Sequence, residues 1–390
     1  MMIEAIIAMV RYLSPRNDDD AVDRLHYLYT PNILLAFAVL ISFKQFGGRP
    51  IECMFPSKFP GSWEQYAENY CWSQDTYYVQ DDVHVANIPE EERYSPERKL
   101  SYYKWVPFFL LLQAAFFRFP SILWNYLSLN SGIRIHEIIE KAVDRGNLED
   151  AIRKQNIDSL ARHMQNALKF HRQKIEVHKT FKFLNIRYSA FFISLMYLFT
   201  KTLYMMNAVA QFYFFFWFLQ TDRYAWYGYN VVKDIIQGSQ WSFSGYFPRV
   251  SLCDFLVRQV GNIQRYSVQC VLVINLFTEK IFIFLWFWYM ILIITTLLSL
   301  SYWICVLTFP CFSRWFISQS LELSEQKFDP DTKKREVDRF VSQYLRHDGI
   351  FVLRLVSIHA GIIFCTELVL ALWAAFYEIE EQVNWIHIYL

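Results

Sequence analysis

The chain has 390 residues, of which 54% are hydrophobic and 19% aromatic, including 36 Phe, 25 Tyr and 13 Trp. A water-soluble core does not need that much aromatic surface, so lipid is part of the solvent. The formal net charge is only +1, which excludes an overall field that would recruit nucleic acid and leaves the placement of charges to carry the information.

Residues 1–29 come first. Ile3 to Val10 is apolar, but no basic residue precedes it and no small-residue cleavage pattern follows, only Arg11, Arg16 and the acidic run Asp18, Asp19, Asp20. A retained cytosolic segment, amphipathic or associated with a pore, is expected rather than a signal peptide. A hydrocarbon core of ~30 Å takes ~20 helical residues to cross, and four stretches qualify: 30–46, 105–127, 188–219 and 279–303. The first is short and runs into Lys44 and Gln45, which suits a helix shielded by protein or facing water. The third carries Lys201. Snorkelling of that lysine to one interface would leave Thr202 to Leu219 to span, with the earlier turns as a cytosolic stalk.

Four crossings put the loops at 47–104 and 220–278 on one side, and both termini with the loop at 128–187 on the other. The middle loop is rich in Lys and Arg, from Arg134 to Arg187, whereas the first loop is acidic, from Glu52 to Glu97. The positive-inside rule therefore places 128–187, the N-terminus and the C-terminal region 304–390 in the cytosol. Cysteines give a second test of compartment. Cys53 and Cys71 lie in the first outer loop and Cys253 and Cys270 in the second, where oxidation is possible. Their spacing is too wide for zinc, so two structural disulfides are expected, with three connectivities open. Cys305, Cys311 and Cys365 fall on the inner side, where reduced packing residues are expected. No Asn-x-Ser/Thr sequon occurs in the sequence, so nothing predicts a glycan on the outer face.

Tyr102, Tyr103, Trp105, Val106 and Pro107 open the second apolar run. The rings suit an interfacial belt that sets the depth of the helix, and Pro107 falls in a first turn where it costs no hydrogen bond. Pro120 lies inside the same span and frees a carbonyl one turn back, which makes it a candidate joint for gating as well as a packing feature. Arg118 and Gln113 are polar at membrane depth and are candidates for pore or subunit contacts, with snorkelling the alternative for Arg118. In the middle loop, Met164, Leu168, Ile175 and Phe181 share a face of a basic helix, which reads as packing within a cytosolic dome, with calmodulin or acidic lipid as the rarer partner. His163, His171 and His178 have no carboxylate or thiolate in evident reach, so solvated histidines are expected there and no metal. The stretch 349–376 is nearly a fifth span, but Arg354, His359 and Glu367 interrupt it. Amphipathic cytosolic helices are expected instead.

These residues together resemble the innexins, the gap-junction family of invertebrate animals that is related to the pannexins. The hexapeptide from Tyr102 to Pro107 fits the family signature YYxWV, and two cysteines per outer loop fit as well. Gly245 to Phe255, Arg265 to Tyr289 and Tyr344 to Gly361 carry further likeness. The tail after Trp373 and the charged middle loop do not follow a pattern. The resemblance implies an all-α membrane protein with four transmembrane helices, an extracellular cap of small β content stapled by disulfides, and a helical cytoplasmic dome. It implies bridges between the loops, Cys53 with Cys270 and Cys71 with Cys253. It also implies a ring of subunits, often eight, homomeric or mixed with other innexins. The first span, with Asp18, Asp19 and Asp20, would stand near the pore. The expected function is a plasma-membrane hemichannel that docks with one on an adjacent cell at a gap junction; the alternative is an undocked, pannexin-like large-pore channel. Neither an enzymatic site nor a cofactor is expected, because the spans offer mainly Phe, Leu, Ile, Tyr and Trp; the partners are sister subunits, the docked ring and membrane lipid, not nucleic acid.

Overall fold

A computed structural model describes residues 16, 18–57, 59–79, 83–96, 98–129, 133–177, 191–218, 233, 247–324 and 334–388. In chain order its elements are α1 (Ala21–Gly47), β1 (Glu52–Met54), α2 (Gly61–Ser73), β2 (Thr76–Tyr77), α3 (Glu90–Arg93), β3 (Lys99–Leu100), α4 (Val106–Leu129), α5 (Ile135–Ala142) and α6 (Asp150–Val177). There follow α7 (Phe192–Phe218), β4 (Val250–Gln259), β5 (Asn262–Val271), α8 (Val273–Thr308), α9 (Pro310–Glu322), α10 (Lys334–Arg339), α11 (Arg346–Ala360) and α12 (Ile362–Ile388). The first fifteen residues, Phe181 and His178 lie outside the described residues, as does most of the stretch from 219 to 246.

Among the described residues three helices, α1, α4 and α8, are long and apolar enough to cross a membrane. The 27-residue α7 is as long, but Lys201, Asn207, Gln211 and its tyrosines lower its hydropathy. Helix α1 starts at Ala21, nine residues before the apolar run at 30. Asp20 caps it, and Asp20 and Asp23 form a reciprocal capping box. Pro31 would clash with a carbonyl one turn earlier in a regular helix; a wider π turn at Leu25–Tyr29 comes just before it and lets the helix continue. Later in the chain α8 stops at Thr308 and Pro310 opens α9, as a proline at a first helical turn does.

The chain forms two compact units. One is built on Met1–Leu28, Arg118–Met206 and Ile294–Leu390, and its core comes from helical periodicity. On α5, Ile135, Ile138, Ile139 and Ala142 are buried, and on α6 so are Ile157, Leu160, Ala161 and Met164. Both sets follow the i, i+3, i+4, i+7 spacing of one apolar face. They share a core with Ile350–Val356 of α11 and with Leu368, Leu372 and Trp373 of α12. Met164 and Leu168 thus pack inward. The near-span 349–376 is divided into two helices at Gly361, whose φ of 86° is a conformation that glycine adopts without a Cβ clash. Cys365 is buried in this core and its thiol is pushed up to about 12 by burial, whereas Cys311 is exposed and so departs from the packing reading.

Asp348 joins two helices of this unit. Its carboxylate accepts from the Ser194 backbone N–H at 3.0 Å, the Ser194 hydroxyl at 2.7 Å and the Ile193 N–H at 3.4 Å, supplying the first turn of α7 with acceptors it lacks internally. Burial nevertheless raises its pKa to about 6, outweighing those donors. A carboxyl whose folded pKa exceeds its unfolded value of ~3.9 binds more protons when folded, so stability falls as pH rises from about 4 to about 6. A rise of that size in one carboxyl corresponds to about 3 kcal/mol. Asp19, also raised to about 6 by burial, adds to the same slope. Asp348→Asn should flatten part of the pH 4–6 decline in the melting temperature of the purified protein, and an unchanged slope would exclude Asp348 as its source.

The second unit is Tyr29–Phe117 with Asn207–Ile293. It holds a five-stranded antiparallel sheet in the order β1-β5-β4-β2-β3. Ser251, Cys253 and Phe255 of β4 and Val268 and Cys270 of β5 are buried at alternate positions, the period that points one face of a strand inward. Phe255, Tyr266, Phe55, Tyr70 and Phe59 pack together at that face in edge-on and tilted pairs with ring centroids 5.1 to 6.4 Å apart.

Candidate functional site

Two disulfides fasten the sheet. Cys53 of β1 is the direct cross-strand partner of Cys270 on β5, and the two are bonded. Cys71 on α2 is bonded to Cys253 on β4, with Cα atoms 5.8 Å apart. Each bridge therefore links the segment after α1 to the segment before α8. The sulfurs of Cys53, Cys71 and Cys270 lie within 4.8 Å of one another, a spacing that suits metal ligands; as disulfide sulfurs they carry no thiolate with which to bind one.

The opposite face of the hairpin is held by charge. Asp254 receives the Tyr77 hydroxyl at 3.0 Å and the Arg93 guanidinium at 3.1 Å, which ties β4 to β2 and α3. Burial, and then the Asp254 carboxylate, push the Tyr77 phenol well above its ordinary pKa. None of Asp254, Arg93 and Tyr77 stood out in the sequence, because their partners are more than 150 residues away in two of the pairings. At its far end the hairpin closes through Val260 and Gly261, with φ of 50° and 86°. A two-residue turn with both φ values positive matches the twist of the strands. Glycine takes that conformation freely, but a β-branched valine rarely does. Val260 is 99% exposed and Ile263 62% exposed.

The aromatic motif splits between two environments. Tyr103 is fully buried in the second unit, with its ring 5.2 Å from Trp72 and its backbone carbonyl accepting from Gln45 at 2.8 Å. Lys104 donates to the carbonyls of Ser73 and Gln74 at 3.1 and 2.7 Å, at the end of α2. Val106 and Pro107 are buried and Trp105 points outward, 63% exposed. Tyr102 lies 6.0 Å from the ring of Phe247. The segment that opens α4 is thereby pinned to α1, α2 and the segment before β4. Gln113 is buried on α4 and accepts from the Tyr289 hydroxyl at 2.9 Å.

In the first unit the acidic run is turned inward. Asp18 is 0% exposed and binds Arg16 through both oxygens at 2.7 and 2.9 Å, while Trp124 Nε1 donates to it at 3.1 Å. Asp19 takes Arg24 at 2.8 Å and the Tyr27 hydroxyl, and His359 donates to the Asp19 carbonyl at 2.6 Å. Asp20 accepts from Lys201, from Ser299 at 2.9 Å and from Trp303 at 3.0 Å. Asp23, which nothing in the local sequence marks, pairs with Lys201 at 2.9 Å and accepts from Tyr197 at 3.1 Å. Snorkelling of Lys201 is overturned: the residue is 1% exposed, because two carboxylates from the start of α1 and the Ser299 hydroxyl replace the water it loses. Pro120 is buried within α4, and Arg118 is half-buried with partners of its own.

The innexin family model matches residues 19–376. Innexin-11 of Caenorhabditis elegans is 63% identical over 390 residues, covering 98% of this chain and 84% of the relative. Innexin-10 of the same organism is 49% identical, with 98% and 69% covered. Innexin unc-9, also of Caenorhabditis elegans, is 39% identical over 386 residues, with 98% of both chains covered.

Proposed function

This chain belongs to the innexin family, and from that premise we propose that it is a gap-junction subunit whose rings dock end to end between two cells and pass ions and small solutes. In this reading α1, α4, α7 and α8 are the four membrane crossings. At ~1.5 Å per residue a helix of α7's length exceeds the ~30 Å hydrocarbon core, with its polar groups turned to protein. The disulfide-bonded sheet with α2 and α3 lies outside the cell, and the basic middle loop, α9 to α12 and both termini lie inside. The observation that carries the proposal is the stapling of both loops into one sheet by Cys53–Cys270 and Cys71–Cys253. A surface ordered in advance loses little entropy when it meets its counterpart.

The hairpin turn supports docking in particular. Val260 and Ile263 stand exposed in a turn that serves neither the core nor the backbone preference of valine. A glutamate there would have to be desolvated against the opposing ring, so Val260→Glu should lower conductance between paired cells more than about tenfold. Surface expression should be unchanged.

Paired-cell conductance tests the whole reading. Current between contacting cells, absent when only untransfected cells are paired, supports it. Dye uptake by isolated cells with no coupling between contacting ones would replace it with the undocked channel. Asp18, Asp19 and Asp20 act in this reading as anchors that hold the start of α1, so their substitution would change gating by releasing the N-terminal segment.

A further inference from the structure

The sheet brings its two disulfides together on one face. Cys270 lies directly across the β5–β1 ladder from Cys53 and directly across the β5–β4 ladder from Ser251. Directly opposed residues of antiparallel strands share a face, and so do residues two apart on one strand. Cys253 therefore stands on the same face as Ser251, diagonal to Cys270. Cys71 reaches Cys253 from α2, which packs on both β4 and β1. The Cys71 sulfur comes within 4.8 Å of both sulfurs of the Cys53–Cys270 bridge, so one disulfide stands next to a sulfur of the other.

The four sulfurs differ in access. Cys71, Cys253 and Cys270 are 0% exposed, whereas Cys53 is half-buried on a three-residue strand at the edge of the sheet. Thiol–disulfide exchange depends on which sulfur an incoming thiolate can reach and on how readily the other sulfur leaves as a thiolate. Cys53 is the residue within reach, which makes Cys270 the leaving group. Ser251, opposite Cys270, is 1% exposed, and its hydroxyl has no hydrogen-bond partner among the described residues. A buried hydroxyl left so is costly. A Cys270 thiolate would give it an acceptor, and hydrogen bonds to a charged acceptor are the stronger kind.

We propose that Cys53 is a site of modification by a small thiol of the glutathione class, and that the clustered sulfurs then pass the bridge from Cys53 to Cys71, with the Ser251 hydroxyl donating to the thiolate formed at Cys270. In the first step the small thiol loses its proton and its sulfur bonds to the Cys53 sulfur. The Cys53–Cys270 bond breaks, and its electron pair leaves with Cys270. In the second step the Cys270 thiolate bonds to the Cys71 sulfur. The Cys71–Cys253 bond breaks, and Cys253 keeps that electron pair and takes up a proton. One thiol enters and one thiol, Cys253, emerges, so the number of disulfides is unchanged and nothing is oxidised or reduced.

The product keeps the two loops joined, now through Cys71 and Cys270, and β4 and β5 keep their ladder from Val250–Val271 to Gln259–Asn262. Only β1 loses its covalent tie. It begins five positions after α1 ends at Gly47, so the exchange frees the chain next to that helix end. In the channel reading this is the outer end of a membrane crossing; the exchange itself needs only the oxidised sheet.

The test treats the purified full chain in detergent with reduced glutathione at mildly alkaline pH, quenches with acid at intervals, alkylates free thiols, and maps the linked peptides by mass spectrometry without reduction. Glutathione on Cys53, a Cys71–Cys270 linkage and an alkylated Cys253 should rise together. S251A should slow the addition of glutathione at Cys53 about tenfold, and S251T, which keeps a hydroxyl, should react close to the wild-type rate. Glutathione on Cys53 with Cys270 alkylated and Cys71–Cys253 intact overturns the proposal, because the bridge would then open without being passed on. So does a first adduct on Cys71, Cys253 or Cys270, the absence of any adduct on the wild-type protein, or an equal rate in S251A. The wild-type map decides the transfer even where S251A does not fold. Every readout is chemical, so a protein that carries no current between cells can still pass this test.

Discussion

Serine in place of Cys53 or Cys71 is expected to remove functional channels from the cell surface. Each bridge closes a long loop, with its cysteines 217 and 182 positions apart, and a disulfide of this kind contributes about 2–4 kcal/mol. Against a total stability of ~5–15 kcal/mol, the loss of one bridge is large, and it falls on a unit whose sheet is assembled from two distant loops. Cys53→Ser would release β1, a strand of only three residues, from the edge of the sheet. Cys71→Ser would release α2 from β4. Paired-cell conductance and surface biotinylation give the readout, and the double variant Cys53→Ser/Cys270→Ser should be no worse than the single one. Normal coupling by Cys53→Ser would remove the rigid cap from the mechanism.

Lys201→Met should be nearly as damaging. The lysine is 1% exposed and pairs with both Asp20 and Asp23, so its loss leaves two buried carboxylates without a counterion. Breaking a buried pair from one side costs about 3–5 kcal/mol, whereas replacing all members by groups of similar volume is often neutral. The single variant should therefore melt well below wild type in detergent, and Lys201→Met combined with Asp20→Asn and Asp23→Asn should recover most of the loss. If the triple variant melts as low as the single one, the cluster's value is not electrostatic. Recovery of stability without recovery of voltage dependence would show that the charged anchor also takes part in gating.

The apolar length of α1, α4 and α8 was legible in the sequence because crossing lipid demands long uncharged runs. The start of α1 was not: Asp23, Arg24 and His26 look like solvated residues, and Pro31 looks like a boundary until a π turn is seen to absorb it. Lys201 was misread for a related reason. Taken alone, a lysine at that depth is costly, and nothing local announces that its counterions lie about 180 positions earlier. The apolar face of α6 at Met164 and Leu168 was legible as packing and is so placed, because its period is plainly helical. In the second unit the alternation through Ser251, Cys253 and Phe255 was present, but the extent of the sheet depends on β1, β2 and β3, which are too short to signal themselves.

The order of the bonded cysteines has a consequence for biosynthesis. Neither loop contains both halves of a bridge, so in the proposed topology a nascent chain whose first loop has reached an oxidising lumen holds Cys53 and Cys71 without their final partners until Cys253 and Cys270 arrive. At ~5–20 residues per second of synthesis that wait lasts roughly 10–40 s. Throughout it the early pair is open to capture by an oxidoreductase or by each other, so a subunit truncated before β4 could never form either bridge, however well its first helices insert.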